Sequence, residues 1–145
     1  MKDILNNDLK IAAYHESAHL VVTRNFGGEG VVVIKPTFTD NINLEKSFIG
    51  QTSYCGIGNN VKHRAIIGCA GYISELILVG TDMYDARELW DIGYDELSES
   101  DKEFTSNLSD NLFYEAFTLI QNLWSKVEVE ALHNITLYSK AYKQY

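Results

Sequence analysis

Two histidines inside an apolar helical stripe set the tightest limit on how this chain can fold. Ala12, His15, His19, Val22 and Phe26 recur at spacings of three and four, so on a helix they share one face. A buried imidazole needs a polar partner. Any fold that buries this stripe must therefore bring polar groups to both rings. The segment His15-Glu16-Ser17-Ala18-His19 has the pattern H-E-x-x-H. Its histidines are about one helical turn apart, so both rings point the same way. One zinc ion satisfies both, and Glu16 then lies beside the metal, where it can take a proton from water. The three fixed positions match by chance in roughly one chain of this length in a few hundred. The motif therefore outweighs its alternative, two unrelated helix histidines.

A catalytic zinc needs a third protein ligand and an open position. No third histidine follows at the metzincin spacing. His63 and His133 are available in principle but read as helix-surface residues. Glu75 and Asp101 are better candidates. Glu75 interrupts the apolar run Ala70-Gly71-Tyr72-Ile73-Ser74-Glu75-Leu76-Ile77, and an acid in such a place needs a charged or metal-bound partner. Asp101 stands at a helix start, where the helix dipole alone favours an acid. Spacing leaves both open.

Around the motif the pattern predicts a mainly α fold with a small β-sheet, as one domain over residues 1–145. The first helix is expected from near Asn6-Asp8 to Gly27-Gly28. Val31 to Ile34 reads as a strand stopped by Pro36, and Phe48 to Tyr54 as a second strand. Thr37 to Ser47 is polar and turn-like, and Gly56 to Asn60 is a loop. Val61 to Val79 reads as a buried helix ending at Gly80, with Gly68 and Gly71 allowing a neighbour to approach closely. Thr81 to Ser100 is acidic and irregular, with a short helix at Tyr84 to Trp90. A helical stripe then starts at Ser98-Asp101 and is expected to break around Trp124 to Val129.

The net charge of −8 disfavours nucleic acid as a partner, because phosphate binding needs a basic surface. The N-terminus is too polar for a signal peptide, and no apolar run approaches the roughly 20 residues that cross a bilayer. A cytoplasmic protein without a membrane partner is expected. Cys55 and Cys69 are expected as free thiols.

Ala12-Ala13-Tyr14-His15-Glu16-Ser17-Ala18-His19-Leu20-Val21-Val22 resembles the active-site helix of the FtsH-type AAA metalloprotease family, whose usual form is A-x-H-E-A-G-H-A. Matches follow in the same order. Val33-Ile34-Lys35-Pro36 resembles that family's strand ending in I-x-P, and Ile49-Gly50-Gln51-Thr52 its G-x-T strand. The run from Ile67 to Gly80 resembles its G-G-R-x-A-E-E helix, and Glu99-Ser100-Asp101 its A-S-N-D segment. The departures are Ser17-Ala18 for Ala-Gly, Tyr72 for the arginine and Leu76 for the second glutamate. The chain contains no G-x-x-x-x-G-K motif, so the family's ATP-driven unfolding does not carry over.

The resemblance implies His15, His19 and Asp101 as Zn2+ ligands, Glu16 as general base, and Glu75 as the carboxylate orienting a ligand histidine. It implies that Ile49, Gly50, Gln51 and Thr52 form a substrate-binding edge, where an extended peptide adds a strand. The expected function is zinc-dependent hydrolysis of peptide bonds in flexible or unfolded polypeptide. The alternative is a degenerate peptidase fold that binds peptides or a protein partner, or regulates one. Family relatives assemble as rings, which makes a homo-oligomer a candidate state. Tyr138, Tyr142 and Tyr145 are candidates for such an interface.

Overall fold

The computed structural model describes residues 2–36, 48–105 and 108–142. The turn-like segment expected over residues 37–47, and Tyr145, lie outside the described residues, as does the side chain of Tyr142. The architecture is mainly α with a small β-sheet. The elements in chain order are α1 (Lys2–Asn25), β1 (Glu29–Pro36), β2 (Phe48–Cys55), α2 (Val61–Leu78), α3 (Met83–Gly93), α4 (Glu99–Thr105), α5 (Asp110–Asn122) and α6 (Trp124–Tyr142). Among the described residues, no helix is long and apolar enough to cross a membrane.

Local chemistry accounts for most boundaries. Both α1 and α2 end on a glycine at positive φ, Gly27 and Gly80. At each end two backbone N–H groups return to the last turn: Gly27 to Arg24 and Gly28 to Thr23, then Gly80 to Ile77 and Thr81 to Leu76. This left-handed cap satisfies carbonyls the helix leaves unpaired, and glycine enters it without a Cβ penalty. Asn60, Asp82 and Ser109 cap α2, α3 and α5 through side-chain oxygens that accept backbone N–H groups.

Three stretches differ from the pattern-based expectation. Helix α1 begins at Lys2, upstream of Asn6. An Asn or Asp inside a helix costs less than about 1 kcal/mol, so the polar triplet does not stop it. The acidic stretch after Gly80 holds an eleven-residue helix, α3, longer than expected because Asp82 caps it. Among the described residues the C-terminal stripe is interrupted twice. It breaks at Leu123, just before the expected region, and also after Thr105, where the Ser109 hydroxyl takes the N–H of Leu112 and starts a new helix.

Helix α1 is the spine, with α2 and α6 on it and the sheet across it. The larger core gathers Val22, Ile67, Ile73, Phe113, Phe117, Ile120 and Val127 from α1, α2, α5 and α6. Full burial of each such side chain contributes about 1.5–3 kcal/mol. A smaller core joins Leu9 and Ala13 of α1 to Ile34 of β1 and Ala131 of α6, with Phe48 and Tyr138 at its margin.

The strands pair antiparallel, with Val32 opposite Thr52 and Ile34 opposite Gly50. Alternation sends Val32, Ile34, Gly50, Thr52 and Tyr54 to the more buried face, while Val31, Val33, Ile49 and Gln51 are exposed. Among the described residues β2 pairs only with β1.

Candidate metal centre

The centre forms where the middle of α1 meets α2, α4 and β2. His15 and His19 lie one turn apart with ring centroids 5.0 Å from each other. Each ring is held by its Nδ1. That of His15 donates to Glu75 Oε2 at 2.7 Å, and that of His19 donates to the Ile67 carbonyl at 2.7 Å. Both partners belong to α2, so one neighbouring helix sets both ring orientations. With Nδ1 engaged as donor, each neutral ring presents a bare Nε2.

Both Nε2 atoms face the same carboxylate. Asp101 Oδ2 is 3.5 Å from His19 Nε2 and 4.0 Å from His15 Nε2. A ligating atom from each of His15, His19 and Asp101 lies within 4.8 Å of the others. Donors about 2.0–2.1 Å from a tetrahedral zinc stand roughly 3.3 Å apart, so the His19–Asp101 pair is already near that spacing and His15 would have to draw in. Two imidazoles and a carboxylate suit zinc and other divalent first-row metals alike.

Asp101 is placed by its own helix start. The Ser98 hydroxyl accepts the Asp101 N–H at 3.2 Å, which sets Asp101 in the first turn of α4. The helix-start reading and the ligand reading of Asp101 are thus compatible. Glu75 is partly exposed, and it partners His15 instead of joining the three-donor cluster.

Electrostatics tie Asp101 to His19. Burial opposes charge on the His19 ring, but the Asp101 hydrogen bond and charge, with the Glu16 charge and the Ile67 carbonyl, raise its pKa from 6.5 to about 9. Burial also opposes ionisation of Asp101, yet His19, His15 and Ser98 hold its carboxyl below the ordinary 3.8.

Glu16 is almost fully buried beside this cluster, with Oε2 3.9 Å from His15 Nε2. Its other oxygen, Oε1, accepts the Thr52 hydroxyl at 2.8 Å. A Cβ at Gly50 would lie 2.6 Å from Glu16 Cγ, so only glycine fits there without displacement. A Cβ at Gly71 would overlap the His15 ring. The close approach expected at Gly71 is therefore real, and the approaching group is His15. Tyr54, next along the inward face of β2, has its pKa pushed to about 12 by burial and then by the Asp101 charge.

The remaining sequence candidates fall elsewhere. His63 stacks on Phe26, with ring centroids 3.9 Å apart, and His133 is exposed on α6. Ile49 and Gln51 are exposed on the outer face of β2, whereas Gly50 and Thr52 face Glu16. The departures from the family pattern serve packing. Ser17 is buried and accepts Asn134 Nδ2 of α6 at 2.9 Å, Leu76 lies in the larger core, and Tyr72 donates to the Leu89 carbonyl of α3 at 3.0 Å. What sequence reading missed is the tie from Thr52 to Glu16. The alternation of β2 was its available signal, since it sets Gly50 and Thr52 on one face.

No protein-family model matches the chain, and no curated protein matches it in sequence.

Proposed function

We propose that this chain is a zinc-dependent metalloendopeptidase, similar to the peptidase domain of the FtsH-type family. The observation that carries the reading is the convergence of His15 Nε2, His19 Nε2 and Asp101 Oδ2 beside the buried Glu16 carboxylate.

His15, His19 and Asp101 would hold the ion. When bound, zinc supplies Lewis acidity toward a peptide carbonyl and lowers the pKa of a water. Glu16 Oε2 takes a proton from the attacking water and delivers it to the leaving nitrogen. The C–N bond breaks, hydroxyl ends on the carbonyl carbon and hydrogen on the amine. Glu75 and the Ile67 carbonyl keep both rings aimed while this happens.

Flexible or unfolded polypeptide is the proposed substrate, lying along the edge of β2 away from β1. A reducing, cytoplasmic setting is part of this reading, and the free thiols of Cys55 and Cys69 accord with it.

The test is Glu16→Gln in zinc-loaded protein. Zinc content should stay at the parental level while cleavage of unfolded casein is lost. Undiminished cleavage would overturn the assignment. Zinc-loaded parent protein without cleavage would favour the second reading, a peptide-binding or regulatory module, which the packing roles of Tyr72 and Leu76 also suit.

A further inference from the structure

We infer that Thr52, with Gly50 beside it, is the positioning device for the Glu16 carboxylate. The inference rests on the peptidase reading for its catalytic consequence, but its geometric content stands apart from it.

The Thr52 hydroxyl lies 2.8 Å from Glu16 Oε1 and 3.1 Å from the Glu16 main-chain carbonyl. One O–H is thus shared by both ends of a single residue, and it ties the side chain back to its own backbone. A glutamate has three rotatable side-chain bonds, and helix geometry alone does not choose among their rotamers. Gly50 completes the restraint. Its missing side chain leaves the space that Glu16 Cγ, Cδ and Oε2 occupy, and a Cβ there would stand 2.6–3.0 Å from all three. Both residues are on the inward face of β2, two positions apart, as the strand's period requires.

The two carboxylate oxygens are thereby given different tasks. Oε1 is held by the strand, and Oε2 is turned toward His15 Nε2 at 3.9 Å, on the side where the three donors converge. Thr52 is not one of the three converging donors, and its hydroxyl meets Glu16, so it acts through Glu16. It also follows that β2 contributes differently by face. Among the described residues its second edge pairs with no strand, and its inward side chains hold Glu16. A polypeptide that adds to this edge steadies the same strand that carries Thr52.

The experiment uses zinc-loaded protein and three variants. Thr52→Val removes the hydroxyl while keeping shape and β-branching, which a strand tolerates. Thr52→Ser keeps the hydroxyl, and Gly50→Ala fills the space beside Glu16. Zinc content is measured by metal analysis, and kcat and KM on fluorescein-labelled unfolded casein. Thr52→Val is expected to keep its zinc and to lose about 10²-fold in kcat, the scale of a misplaced catalytic group, with KM changed less than about threefold. Thr52→Ser should regain most of that loss, and Gly50→Ala should resemble Thr52→Val. A Thr52→Val enzyme with parental kcat, or a Thr52→Ser enzyme as slow as Thr52→Val, overturns the inference. A crystal structure of zinc-loaded Thr52→Val decides it even if the parent cleaves nothing. The Glu16 carboxylate should leave its place, and an unmoved carboxylate overturns the inference. An inactive, zinc-loaded parent overturns only the peptidase reading.

Discussion

Glu75 Oε2 and His15 Nδ1 lie 2.7 Å apart, joining α2 to α1 across 60 residues of sequence. The bond makes Nδ1 the donor, so Nε2 faces Asp101. Glu75 thereby orients the His15 ring toward the three-donor cluster. It does so from outside the three-donor cluster.

Glu75→Ala should weaken zinc binding by about 10- to 100-fold, the usual effect of losing a carboxylate behind a ligand histidine. Asp101→Ala should weaken it more, because a donor itself is lost. Competition with a chromophoric chelator ranks the two. The opposite order would promote Glu75 to ligand.

Gly71→Ala places a methyl group against the His15 ring. The ring cannot retreat freely, because Glu75 holds it. Overpacking of this kind costs about 1–3 kcal/mol. Thermal denaturation should show the loss, and zinc affinity should fall with it. Normal zinc affinity in a stably folded Gly71→Ala protein would argue that His15 is not held as described.

Metal-free protein should have a distinctive pH dependence. The folded pKa of His19, about 9, lies above its ordinary 6.5. Its pairing with Asp101 therefore contributes fully below about 6.5 and is lost as pH rises through about 9. Asp101 has a folded pKa below its ordinary 3.8, so its contribution is present above 3.8 and lost as pH falls through the folded value. The Tm of metal-stripped protein should peak between those ordinary values and decline toward pH 9. Zinc takes the neutral ring, so adding it near pH 7.5 should release protons and flatten the alkaline decline. Calorimetry across pH 6 to pH 10, with and without zinc, measures both effects; a metal-free Tm flat over that interval contradicts the pairing.

Asn134→Ala leaves the buried Ser17 hydroxyl without its 2.9 Å donor. The expected cost is about 1–3 kcal/mol of stability. Zinc affinity should be nearly unchanged, since Ser17 faces α6 and not the donors. Urea denaturation and chelator competition, run on the same variant, separate the two effects.

The sequence alone determined the helix, its histidine spacing and the neighbouring Glu16 carboxylate, because these follow from a 3.6-residue period acting over five positions. It likewise determined the two strands and the glycine ends of α1 and α2, where local backbone chemistry suffices. Spacing could not choose between Glu75 and Asp101, since each lies more than fifty residues from the motif and no local rule spans that distance. Only the packing of α2 and α4 against α1 assigned them different places, Glu75 behind His15 and Asp101 in front of both rings. The same holds for Thr52. Its strand was legible from composition, but which helix residue its hydroxyl would meet depended on how the sheet lies across α1, a long-range contact that burial of the whole core decides.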